Sequence, residues 1–159
     1  MNSKAAVEQD AISLLKADHK KVKGLLEALE KTTDRASKKR ATLLGQIDTE
    51  LTVHTKIEET IFYPAFRDAV KKKEDRELYF EALEEHHVVK LVLPEIEATS
   101  PSSEPFAAKA KVLKELVTHH ADEEESEMFP EAKRVFDKAE LRELGARMAA
   151  KKKELLNGK

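Results

Sequence analysis

The sequence contains no cysteine. Disulfides, zinc ribbons, iron–sulfur clusters and thiol catalysis are therefore excluded. Turn formers are scarce too, with four glycines and five prolines in 159 residues. Set against abundant Ala, Leu, Glu and Lys, that scarcity points to long helices with few connections. No apolar run approaches the ~20 residues of a membrane span. Met1 to Asp10 lacks the apolar stretch of a signal peptide, which makes the cytoplasm the expected compartment. Neither sign of charge dominates: Lys+Arg is 29 and Asp+Glu is 31, a net charge of −2. A nucleic-acid binder would need a basic excess or patch. A disordered acidic chain would not carry 40% apolar residues. What is present is enough apolar side chain for one core of ordinary size.

The apolar residues fall into helical stripes. Asp10 is a good N-cap for a first helix whose stripe is Ile12, Leu15, Val22, Leu26 and Leu29. Thr32 to Arg35 reads as a break, and Ser37 as the cap of a second helix. That helix carries Leu44, Ile47, Leu51, Ile61 and Phe62, and Pro64 is expected to bend or end it. The run Lys71 to Lys73 reads as a solvated connection. A third helix runs from about Asp75 to Ala98 with the stripe Tyr79, Leu83, His86, Val89, Leu93 and Ile96. Pro94 is expected to kink it or end it early. Thr99 to Ser103 is the clearest loop, and Pro105 suits the first turn of a fourth helix. This one carries Leu113, Leu116 and Val117 and approaches Pro130. Asp137 with Glu140 reads as a capping box, with Phe136 and Leu141 as its staple. It starts a shorter fifth helix over residues 138–156, ahead of a basic tail. No strand pattern is present, so the expected class is all-α: a four-helix bundle with a short C-terminal fifth helix.

The six histidines are His19, His54, His86, His87, His119 and His120. A single His on an apolar face is usually a core residue with one hydrogen bond. Here the chain repeats itself. His54, three residues, Glu58, five residues and Pro64 recur as His120, Glu124 and Pro130. Asp18-His19 and Glu85-His86 are each followed by a similar Val-Lys and Leu pattern. The repeat selects His86 over His87 and His120 over His119, leaving His87 and His119 to point elsewhere. Residues four apart share a helix face, ~6 Å apart along the axis. A His and a Glu so spaced can ligate one metal centre. Two such pairs plus one His from each remaining helix supply four imidazoles and two carboxylates. Imidazole suits iron, zinc or copper, and mixed nitrogen and oxygen ligation without thiolate fits iron well. Burying these groups without a cation would cost several kcal/mol (about that order) unless each found a partner.

The pattern resembles the hemerythrin family, in its bacterial HHE cation-binding branch. The signature His19…His54-x3-Glu58…His86…His120-x3-Glu124 is present in full, and the likeness covers residues 11–135. Residues 1–10 then form an N-terminal tail, and 136–159 the C-terminal helix and basic tail. The resemblance implies an up-down four-helix bundle around a non-haem di-iron centre. It implies that His19 and His54 serve one iron, that His86 and His120 serve the other, and that Glu58 and Glu124 bridge them. An oxo or hydroxo bridge between the irons is a further family feature.

The sequence also departs from the oxygen-carrying members. These have a fifth histidine one turn from the position of His86, where this chain has Ala82 and Lys90, and an Asp in place of Glu124. Water, a solvent-derived bridge or a carboxylate among Glu81, Glu85, Glu123 and Glu127 could fill the gap, although these glutamates read as surface charge. Tyr63 is within reach of the site, but its expected place is the bundle end, where a hydroxyl stays wet. Ile61, Phe62, Met128 and Phe129 are expected to wall the centre and admit small ligands such as dioxygen, peroxide or nitric oxide. The leading expectation is a protein that binds or senses oxygen, reactive oxygen species or iron. The alternative is an enzyme that degrades peroxide or oxidises ferrous iron with the same ligands. No nucleic acid or membrane partner is expected.

Overall fold

The computed structural model describes residues 9–158. Most of the expected N-terminal tail, residues 1–8, and Lys159 at the end of the basic tail lie outside the described residues. Helix α1 spans Ala11–Glu30, α2 Ser37–Ile57, α3 Tyr63–Ala69, α4 Lys73–Glu97, α5 Glu104–Glu123, α6 Phe129–Val135 and α7 Lys138–Asn157. Two five-residue π-helical segments, Glu58–Phe62 and Glu124–Met128, join α2 to α3 and α5 to α6 without a break. The chain thus forms four long helices, α1, α2–α3, α4 and α5–α6, with α7 as a fifth. Helix α1 packs against α2, α5 and α7, and α4 against α5. No helix among the described residues is long and apolar enough to cross a membrane.

Local chemistry accounts for most of the boundaries. Asp10 accepts a hydrogen bond from the Ser13 amide at 2.8 Å and starts α1. Asp137 and Glu140 form a reciprocal capping box at the start of α7, with Phe136 and Leu141 buried in one cluster beside it. Ser37 does not cap α2. It lies inside the helix, and Ala36 is the cap residue, with no side-chain hydrogen bond. Arg40 instead secures this end of the bundle. Its guanidinium is buried and donates to Pro101 O and to Thr32 Oγ1, while lying over the Phe106 ring at 5.1 Å.

The prolines behave differently from their sequence expectation. Neither Pro64 nor Pro130 ends its helix. A proline ring conflicts with the carbonyl four residues back, and the wider π turn before each proline relieves that conflict. The Tyr63 amide bonds to Glu58 O and the Phe129 amide to Glu124 O, each five residues back. Pro94 sits inside α4, which continues to Glu97. It is exposed and one turn from the helix end, so the carbonyl it orphans can face water.

The core is divided. One apolar cluster gathers Ala11, Ile12, Leu14, Leu15, Val53, Ile57, Ile61, Phe62, Tyr63, Phe66, Met128, Phe129 and the inner face of α7. The other gathers Val22, Leu26, Leu29, Leu44, Ile47, Leu51, Leu93, Ile96, Phe106, Leu113 and Val117. Along every long helix, the step from one cluster to the other is made by the buried histidines and glutamates.

Candidate metal centre

His19, His54, Glu58, His86, His120 and Glu124 are all buried in that dividing layer. Donor atoms of His19, His54, Glu58 and Glu124 lie within 4.8 Å of one another, as do those of Glu58, His86 and His120. The two groups share Glu58. Its Oε1 is 3.2 Å from His54 Nε2, 3.0 Å from His86 Nε2 and 3.9 Å from His120 Nε2. Glu124 also faces both histidine pairs, with Oε1 at 3.0 Å from His19 Nε2 and Oε2 at 3.5 Å from His120 Nε2. The six residues singled out from the sequence thus converge on one spot. The π turns begin at Glu58 and Glu124, so the register change that accommodates each proline follows directly after a central carboxylate.

All four imidazoles turn Nε2 inward and hold a carboxylate on Nδ1. His19 Nδ1 is 2.7 Å from Glu125, His54 Nδ1 2.9 Å from Asp18, His86 Nδ1 2.7 Å from Glu59, and His120 Nδ1 2.6 Å from Glu85. A carboxylate there fixes the ring and its tautomer and raises the basicity of the inner nitrogen. These four acids follow the internal repeat. Asp18 and Glu85 precede the first histidine of each half, and Glu59 and Glu125 follow the central glutamates. Glu85 therefore serves His120 from outside, whereas Glu81 and Glu127 are exposed.

Tyr63 is not at a wet bundle end. It is fully buried, and its hydroxyl lies 3.1 Å from Glu58 Oε1, 2.5 Å from Glu124 Oε2, 3.1 Å from His86 Nε2 and 3.3 Å from His120 Nε2. The repeat aligns it with Phe129. The Tyr63 ring stacks on His86 at 5.2 Å, and the Phe129 ring stacks on His19 at 5.9 Å. The two halves of the centre thus share their aromatic walls but differ by one hydroxyl. The sequence signal existed, because Tyr63 and Phe129 hold the same place before Pro64 and Pro130. The π turn, which rotates that place inward, was not visible in it.

Burial disfavours charge on His54. The Glu58 charge and the Asp18 hydrogen bond outweigh this and raise its pKa to about 10. Burial likewise opposes protonation of His86 and His120, yet hydrogen bonds and charge from the surrounding glutamates push both up. Glu58 is driven well below the usual carboxylate range despite its burial, chiefly by the charge of His54. Burial and the two central carboxylates hold the Tyr63 phenol in its neutral form. Among the described residues, two buried side-chain atoms lack a hydrogen bond, His54 Nε2 and Glu58 Oε2. Both belong to the shared donor set, and both are lone-pair donors when deprotonated. A cation is the partner that satisfies them, so these residues fit a metal.

His87 is exposed and outside the centre, as the register requires. His119 is also exposed, 3.4 Å from Glu85 and 3.2 Å from Glu123. A narrow cleft of about 10 Å³, lined by Leu78, Ala82, Glu85, Glu123, Glu124 and Met128, reaches Glu124 from outside. Ile61, Phe62 and Phe129, with Met128 from the cleft, pack as buried apolar walls.

Known proteins resemble this chain in sequence and fold. Residues 10–132 match the family described as the hemerythrin HHE cation-binding domain. A crystal structure of an HHE cation-binding domain-containing protein from Mycobacterium kansasii, a homologue of Rv2633c, superposes with a TM-score of 0.81. It is 31% identical and covers 94% of this chain and 89% of its own. The uncharacterised protein Rv2633c of Mycobacterium tuberculosis is 30% identical over 147 residues, 92% of this chain and 87% of that protein. A DNA nickase of Nostoc sp. is 34% identical over 116 residues, 73% of this chain. The matched region is 31% of the nickase, so the chain spans under a third of that relative's length. With the family pattern matched along nearly the whole bundle, and its histidines and glutamates gathered in one buried layer, the chain belongs to the hemerythrin HHE cation-binding family.

Proposed function

We propose that the protein holds two iron ions in this layer and uses them to bind or sense oxygen, reactive oxygen species or iron. His19 and His54 would hold one ion, His86 and His120 the other, and Glu58 and Glu124 would serve both; an oxo or hydroxo bridge between the irons belongs to the same reading. The observation that carries the reading is the pair of donor groups sharing Glu58, with His54 Nε2 and Glu58 Oε2 left unsatisfied between them. Four nitrogen and two carboxylate ligands with no sulfur suit iron. The apolar walls and the narrow cleft favour small ligands such as dioxygen, peroxide or nitric oxide.

Tyr63 favours a second reading, an enzyme that consumes peroxide or oxidises ferrous iron. Bound iron would supply the electron transfer. The chain supplies a proton held at Tyr63 Oη, within hydrogen-bond distance of Glu58, Glu124, His86 and His120. A neutral phenol in a dry pocket can act as a general acid.

Metal analysis of freshly purified protein tests the first reading. About two irons per chain are expected, with near-ultraviolet absorption that is lost on reduction. Stoichiometric zinc in protein made without added zinc would overturn it. Steady-state assays with hydrogen peroxide and with ferrous iron decide between binding protein and enzyme.

A further inference from the structure

Among the four carboxylates that hold the outer nitrogens, Asp18 has a distinct environment. Its Oδ2 is 2.9 Å from His54 Nδ1, and its Oδ1 is 2.6 Å from the Lys152 ammonium. Lys152 belongs to α7, outside the four-helix bundle. Glu85, which occupies the place of Asp18 in the second half, receives no lysine; its outer oxygen is 3.4 Å from exposed His119. Glu59 is met by Lys90 of α4, within the bundle.

Helix α7 is packed closely against the start of α1. Gly145 lies against the backbone of Gln9 to Ala11, and a Cβ there would collide with it. Lys152 is seven residues beyond Gly145, and Asp18 seven beyond Ala11. Two turns in each helix cover the same ~10 Å, so α7 runs parallel to α1 and the pair meets in register. Met148, fully buried, fills the wall between the two contacts. The Lys152 side chain is 29% exposed and that of Asp18 5%, so the lysine forms the outer wall of a buried chain of three groups.

We propose that Lys152 is a positioning residue for one cation position, the one served by His19 and His54. The proposal rests on the two-iron reading above. With Lys152 on Oδ1, Asp18 can present only Oδ2 to His54. The His54 ring then keeps a proton on Nδ1 and holds Nε2 beside Glu58, turned into the shared donor set. Removing the ammonium leaves a buried carboxylate oxygen unpaired, and Asp18 turns to find another donor. The His54 ring loses its anchor, while His86 and His120 keep Glu59 and Glu85. The effect is therefore one-sided, and the C-terminal helix becomes part of the metal site without touching a metal.

The test compares the full-length wild type with Lys152→Met, Lys152→Arg and Lys151→Met. Each protein is loaded with iron, and iron content and release to a chelator are followed. In Lys152→Met, one of two irons is expected to leave 10–100-fold faster, about the usual effect of losing an outer partner, and the other at the wild-type rate. Lys152→Arg should restore slow release, and Lys151→Met should match wild type. The metal-free Lys152→Met protein should melt below the metal-free wild type, because Asp18 loses a partner there too, and it should also gain less on loading. Release unchanged in Lys152→Met overturns the proposal, as does equal acceleration of both irons. A metal-free melting point lowered as much as the loaded one also overturns it, because α7 would then be a structural tether alone. Wild type that binds fewer than two irons overturns the two-iron reading itself, a failure distinct from any confined to the variant.

Discussion

Tyr63 Oη and Glu124 Oε2 lie 2.5 Å apart, although they come from different long helices. The contact joins the two halves of the internal repeat at the point where they differ, since Phe129 stands in the place equivalent to Tyr63. The ring of Phe129 lies almost parallel to His19, at 5°. A phenylalanine therefore fits this architecture. Tyr63→Phe is expected to fold and to retain both irons. If the hydroxyl supplies a proton in peroxide turnover, that turnover falls about 100-fold or more while iron content holds. Iron content that drops by half would instead place the hydroxyl among the ligands.

The central and outer glutamates should separate by degree. Glu58→Ala and Glu124→Ala each remove a carboxylate that faces both histidine pairs, and most bound iron should be lost. Glu59→Ala removes the partner of His86 Nδ1, and iron should bind about 10–100-fold more weakly. Glu123→Ala should bind iron like wild type, because Glu123 contacts none of the four central imidazoles. The spacing to Pro64 and Pro130 separates Glu58 from Glu59, but it does not reveal that Glu59 steadies a histidine. Iron titration of the four variants checks the ranking.

The adjacent histidines give the sharpest test of register. His86 is buried, and its Nε2 is 3.1 Å from His120 Nε2. His87 is ~100° further around the helix and exposed. His86→Ala is expected to lose iron from the His86 and His120 position, and His87→Ala to keep both ions. Equal losses would mean that α4 turns differently in the loaded protein.

Helical periodicity and the His-x3-Glu repeat carried the helices and the six inward residues, because both are local patterns with one geometric solution. The π turns carry no comparable signal. A proline at 64 or 130 announces a conflict with the preceding turn, but not whether the helix ends or widens to absorb it. Tyr63 was misplaced for that reason, since one extra residue in the turn rotates it from the end of the bundle into the centre. The outer carboxylates were legible only in part. Asp18 and Glu85 sit beside histidines in sequence, yet each bonds to a histidine on another helix, His54 and His120, and only tertiary packing reveals that exchange. Arg40 and Lys152 were invisible for the same reason, as single charges on helices whose partners lie across the fold.

The His54 proton makes stability and metal binding respond oppositely to pH. In the metal-free protein its pKa is about 10, against an ordinary 6.5. The folded chain thus keeps a proton that the unfolded chain releases between those two values. Stability is favoured by that proton below about pH 6.5 and is lost as pH rises toward 10. Iron needs the same nitrogen unprotonated, so loading expels the proton, and iron affinity rises through the same window. The melting point of chelated protein should therefore fall between pH 7 and pH 9.5, while the increment gained on loading grows. Loading at pH 7 in a weak buffer should release protons, and a Tyr63→Phe variant should do so as well, since its histidines are untouched. Thermal melts of both forms across the range, with a pH-stat record of proton release, check the sign. Parallel melting curves for chelated and loaded protein, with no proton released, would mean that His54 is already neutral before the metal arrives.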